Sequence, residues 1–266
     1  MGAETARNRQ VESPPMPTLW TQSLSLRWRP ELRFYEKRVE ILRTLEEEGF
    51  LRAFRVHESA IDARLFDSRD ALSVRQDGLV LHLRRSDSDL DRALRAVEIS
   101  LSTLSPSQPR QRSASFQFLT PVDMEFEAAV RQAYGGALGS LRTGSIDVSD
   151  WAFLVDLTDD GTTGQIEFGI VRAEEVPLRL SLTVGRIDRE FDRESQPPPY
   201  AGGPEEFAPV SLFADLWLAR EGGGDAVTLR EEVPGFWQTA RDEAGNLVST
   251  LETALFGDDR REEVAR

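Results

Sequence analysis

His57 and His82 are the only histidines among 266 residues, and there is no cysteine. Any imidazole chemistry therefore runs through these two side chains, which could move a proton near neutral pH or ligate a metal through a ring nitrogen. Glu58 and Asp62 place carboxylates close to His57 in the chain, so His57 and His82 are the candidate ligand-binding residues. A structural role is the plainer reading. Both lie in alternating apolar runs, and in LVLHLRR His82 must point away from the face that Leu81 and Leu83 share.

A second spacing with chemical meaning is DLTDDGTTGQIE, from Asp156 to Glu167, with carboxylates at the first, fifth and twelfth places of a calcium loop and Gly161 at the sixth. Its flanks lack the helices that an EF-hand requires. Centred on Asp160-Gly161 as a hairpin, the same residues pair Val155 with Ile166, Phe153 with Phe168 and Trp151 with Ile170 on one face. The hairpin is the expectation. No metal and no other cofactor is expected.

RESQPPPYAGGPEEFAPVSLF runs from Arg193 to Phe213. Pro197, Pro198, Pro199 and Tyr200 fit the pattern read by WW domains, because consecutive prolines pre-form an extended helix and the tyrosine fills an aromatic groove. Long loops inside a domain often carry function. Residues 193–209 are thus the expected loop, and Pro197, Pro198, Pro199, Tyr200 and Phe207 the candidate partner-binding residues.

The chain contains no GxGxxG, GxxxxGK, GxSxG or HExxH, which removes the usual phosphate cradles, the nucleophile elbow and the zincin helix. A net charge of -14 and a pI near 4.7 oppose binding to nucleic-acid backbones and anionic lipid. No apolar run is long enough to span a bilayer, and the first residues lack the apolar core of a signal peptide. Zero cysteines rule out a disulfide framework, a thiolate zinc site and a cysteine nucleophile, and a reducing cytoplasm is the expected compartment. Lys37 is the only lysine, an arginine skew of the kind GC-rich bacterial coding produces.

The elements that would position these residues follow from periodicity. Leu24, Leu26 and Trp28 alternate as a strand; Leu32, Tyr35, Val39, Leu42 and Leu45 recur at helical spacing until Gly49. FLRAFRVH, AIDARLF, ALSVRQ and LVLHLRR read as an antiparallel meander. Its last turn, centred on Asp77-Gly78, pairs Val74 with Leu81 and Leu72 with Leu83. Leu90, Leu94, Val97, Leu101 and Leu104 form a helical stripe capped by Ser86 or Ser88. After a linker at 105–113 the order recurs: strand SFQFL, a helix from Pro121, two long strands, LRLSLTVGRI, the long loop, VSLFADLWLAR, and a helix from about Phe236 to Phe256.

Each half then reads β, α, four β, α. That order resembles the duplicated saddle of the TATA-binding-protein-like fold and is similar to uncharacterised bacterial families of this length that end in a helix. The resemblance spans residues 20–257 and rests on element order alone. It implies fold, and fold does not imply function. The expectation is an α+β protein of two tandem β-α-β4-α halves, pseudo-symmetric, with antiparallel sheets covered by helices on one face. A disordered tail at 1–18, a half at 19–104, the linker, a half at 114–257 and a charged tail at 258–266 complete it. The expected function is a non-enzymatic bacterial component of protein-protein interaction or assembly, with an unknown protein partner, no nucleic acid and no membrane, and homo-oligomerisation left open. The alternatives are a small-molecule binder or hydrolase with a pocket between the halves, and an acidic DNA mimic.

Overall fold

The computed structural model of the protein describes residues 17–66, 70–84, 89–138, 151–159, 161–181, 202–222 and 225–257. Its elements begin with β1 (Thr18–Trp28), α1 (Phe34–Glu47), β2 (Leu51–Val56), β3 (Ala60–Leu65), β4 (Asp70–Arg75), β5 (Gly78–Leu83) and α2 (Leu90–Leu104). They continue with β6 (Pro109–Pro121), α3 (Phe126–Leu138), β7 (Ala152–Asp159), β8 (Thr162–Arg172), α4 (Val176–Ser181), β9 (Val210–Glu221) and α5 (Ala226–Phe256). Among the described residues the fold is mixed α+β, with five α-helices and nine strands in one antiparallel sheet of order β2-β3-β4-β5-β1-β6-β9-β8-β7. No described helix is long and apolar enough to cross a membrane.

The two expected sheets are therefore one. β1 and β6 pair from Thr18↔Leu119 to Trp28↔Pro109, because Pro109 already starts a strand inside the stretch expected as a linker. Left unpaired at a boundary, each strand would expose a row of amides and carbonyls that need partners.

Directly opposed residues share a face, so cross-strand partners trace rows over the sheet. Phe54, Ala63, Leu72, Leu81, Leu24, Ala114, Leu218, Gly164 and Leu157 are consecutive partners in one such row. α1, α2, α3 and α5 pack on this face, and their apolar residues join it in one core. Trp237 of α5 is fully buried there and meets Phe116 edge-on with ring centroids 5.7 Å apart.

Helices are not confined to that face. Leu119, Val171 and Phe213 point to the reverse side of β6, β8 and β9, and Val176 and Leu180 of α4 cover them in a separate cluster. This corrects the strand expected at LRLSLTVGRI as far as Ser181. A helix brings Val176 and Leu180, four residues apart, onto one apolar patch, whereas a strand passing the same point could not cover it as compactly. After α3 the described strands number three, β7, β8 and β9.

Two further differences have local causes. β4 and β5 pair Leu72↔Leu81 and Val74↔Leu79, with the turn on Gln76-Asp77; neither Asp77 nor Gly78 takes a positive φ. The register is two residues from the expected one, a slip that keeps every side chain on its face. α5 starts at Ala226, before the expected Phe236, because the Asp225 carboxylate accepts from the amides of Val227 (3.0 Å) and Thr228 (2.9 Å), and Pro234 lies inside the helix. The β7-β8 hairpin has the expected register, Val155↔Ile166 and Phe153↔Phe168, around Gly161 at φ +71.

Two glycines separate the roles of space and flexibility. A Cβ at Gly164 would lie 2.6 Å from the Trp217 carbonyl oxygen and 2.7 Å from Leu218 Cδ2, while one at Gly245 of α5 meets nothing within 4 Å. Gly164→Ala should cost about 1–3 kcal/mol, and Gly245→Ala should add about 0.5–1 kcal/mol. Urea unfolding of both variants checks the opposite signs.

Candidate functional site

The two histidines occupy different parts of the sheet. His57 follows β2, half exposed, with Nε2 at 3.0 Å from Asp62 Oδ2. His82 is buried in β5, and its Nδ1 shares a 2.7 Å hydrogen bond with Ser23 Oγ. β3 and β4 separate β2 from β5, so the structure does not bring the two imidazoles together.

His82 belongs to a row on the face opposite the main helical core: Arg64, Ala71, His82, Ser23, Ser115, Trp217 and Gln165. Burial first, then the charges of Arg84 and Arg64, push its pKa down to about 4. A serine hydroxyl against an imidazole is half of a nucleophile and base pair. An imidazole so weakly basic takes a serine proton poorly near neutral pH. Ser25, Ser73, Ser113 and Ser115 are buried around it, and nearby Gln117 Nε2 donates to Asp215 Oδ2 at 2.8 Å. This is a hydrogen-bonded polar layer that organises the sheet.

Of the residues expected to bind a partner, Phe207 packs against Trp20 with ring centroids 4.8 Å apart, at the rim of the α4 cluster. Pro197, Pro198, Pro199 and Tyr200 lie outside the described residues.

Among the described residues, five of the nine exposed large apolar side chains lie on α1, its preceding turn and β2, a surface that residue spacing does not single out. In the edge strand β2, residues 52–56 are all exposed. Phe54 (55 % exposed) and Val56 (47 %) oppose the buried Ala63 and Ile61, so they point to the face on which α1 packs. Beside them α1 and its preceding turn show Leu32 (81 %), Tyr35 (41 %) and Val39 (68 %). Arg38 Nη1 donates to the His57 carbonyl at 3.3 Å and holds α1 against the end of β2. Helical spacing placed Leu32, Tyr35, Val39, Leu42 and Leu45 in the core; Leu42 and Leu45 are buried there, but at the start of the helix Phe34, with Ile41, takes the sheet side in place of Leu32, Tyr35 and Val39. α1 has two apolar stripes, and the sheet can bury only one. That surplus stripe was the signal in the sequence.

The reverse side of β2 is cationic. Arg55 stands opposite Asp62, whose carboxylate is taken by His57. Among the described residues neither Arg52 nor Arg55 forms an ion pair.

His82 makes stability depend on pH. Its folded pKa, about 4, is below the ordinary 6.5, so the unfolded chain takes up the proton first as pH falls. The contribution is full above about 6.5 and is lost on acidification towards about 4, on the order of 3 kcal/mol in all. His82→Gln should remove that part of the slope, seen as a difference in urea midpoints between the two proteins that shrinks across this window. No protein-family model matches the sequence, and no curated protein matches it either.

Proposed function

We propose that the protein is a non-enzymatic interaction component that captures an extended segment of a partner protein along β2. The observation that carries this is an exposed edge strand with a solvent-exposed apolar stripe of α1 on its helix side. An edge strand offers a row of unpaired backbone donors and acceptors. Strand addition uses that row for affinity and the flanking side chains for selection.

Alternation then specifies the partner. Successive residues of an added strand point to opposite faces, so one set meets Phe54 and Val56 on the α1 side while the other meets Arg55. The captured segment alternates apolar and acidic residues. The net charge of -14 opposes an acidic segment at long range, so selection is made by short-range contacts with Arg52 and Arg55.

The strand order supports reading the chain as two tandem halves, with β5, β4, β3 and β2 outward of β1 and β9, β8 and β7 outward of β6. On this reading the free edges are β2 and β7. They differ in charge, since β7 carries Asp156 and Asp159 and no basic residue. A cysteine-free surface fits a reducing bacterial cytoplasm.

The test is fluorescence anisotropy of a labelled peptide alternating valine and glutamate, titrated with the full-length protein. Phe54→Asp and Arg55→Glu should each weaken binding by about tenfold or more, and replacing the glutamates by lysine should abolish it. Equal binding of the lysine peptide, or indifference to Phe54→Asp, would rule out capture at β2.

A further inference from the structure

Arg112 of β6 and Arg220 of β9 are direct cross-strand partners on the helix face. Like charges placed opposite each other destabilise a sheet unless each has a counter-charge. Both guanidinium groups lie over the ring of Phe236 in α5, at 5.5 Å and 6.0 Å from its centroid. Arg112 has its counter-charge, an ion pair with Glu232. Arg220 has no ion pair among the described residues. Its Nε donates to Thr162 Oγ1 at 2.8 Å, which fixes the guanidinium plane and leaves its two Nη groups for another acceptor.

Arg220 lines a cavity of about 280 Å³ between α5 and the strands β7, β8 and β9. Four leucines, Leu157, Leu216, Leu218 and Leu247, form its apolar wall. Glu243 of α5 and Asp159 of β7 line it too, both exposed to solvent, so charges of both signs border the cavity, and among the described residues neither Arg220 nor Glu243 forms an ion pair. A carboxylate on the Arg220 fork satisfies the odd arginine, since planar guanidinium and carboxylate match in two parallel hydrogen bonds. A cation next to that carboxylate answers Glu243. The volume is below the range of drug-sized ligand sites.

We propose that this cavity binds an apolar α-amino acid, with its carboxylate on Arg220, its ammonium towards Glu243 and its side chain among the four leucines. The site is separate from β2 and goes beyond peptide capture. It supplies the fold with a small-molecule input under the longest helix.

Calorimetric titration of the full-length protein with L-leucine and L-phenylalanine tests it. One of them should bind saturably, and Arg220→Gln should lower the affinity about tenfold or more. Leu247→Trp, which fills the cavity and leaves the charges alone, should abolish binding. For a phenylalanine-binding site, 3-phenylpropanoate, which lacks the amine, should bind more weakly, and Glu243→Gln should remove that difference; 4-methylpentanoate plays the same part for leucine. Phe54→Asp should leave all of this intact, which separates failure here from failure at β2. No saturable heat with either amino acid, an unchanged affinity in a folded Arg220→Gln protein, or equal binding of the deaminated acid would overturn the assignment.

Discussion

The pairing of β1 with β6 is the interaction on which the rest of the structure depends. It joins β2–β5 on one side to β7–β9 on the other in a single hydrogen-bonded sheet. Small sheets bury little apolar surface and are marginal alone. The seam also fixes which side of every strand faces the helices. With Leu24 and Leu26 turned to the helix face, Ser23 and Ser25 must turn away, and Ala114 and Ser115 follow by cross-strand pairing. α5 then lies against β6 and β9 and touches α2 and α3, so one helix spans the seam.

The two faces carry different chemistry as a result. The helix face excludes water with leucine, phenylalanine and tryptophan, and Phe116 beneath Trp237 marks its centre. The reverse face buries serines, a glutamine and an aspartate, and buried polar groups are costly unless hydrogen-bonded. Ser23 answers His82 and Gln117 answers Asp215. An imidazole in such a layer is held neutral by burial and flanking arginines, which makes it a good structural hydrogen-bond partner and a poor base. The chemistry suggested by the two histidines is displaced by the surroundings of one and the distance of the other.

Local patterns in the sequence made much of the fold legible. All the alternating runs but LRLSLTVGRI became strands, the hairpin around Gly161 kept its register, and the stripes of α2 and the second part of α5 face the core. What spacing could not supply was non-local. Nothing in SLSLRW names Pro109–Ser115 as its partner, so one sheet read as two. Helical spacing in α1 fitted two overlapping stripes, and only the position of the sheet decides between Phe34 and Tyr35. The helix expected from about Phe236 begins at Ala226, where the Asp225 carboxylate caps it. For the candidate site, FLRAFRVH announced a strand with an aromatic residue and arginines; that it is an edge is a property of topology alone.

Edge position changes what those residues mean. Charged side chains on free edges discourage strands from pairing indiscriminately. Two copies meeting through β2 would set Arg52 and Arg55 against the same arginines, and two meeting through β7 would set Asp156 and Asp159 against the same aspartates. Symmetric pairing through either edge is therefore opposed by charge. β7 of another copy has the charge that β2 lacks. Yet every neighbouring pair in the sheet is antiparallel, so the first and ninth strands run the same way. With the helices of both copies on one side, β7 could meet β2 only as a parallel strand, the less stable ladder. A separate acidic and apolar segment is free to run antiparallel, matching both the charge of β2 and the stronger geometry.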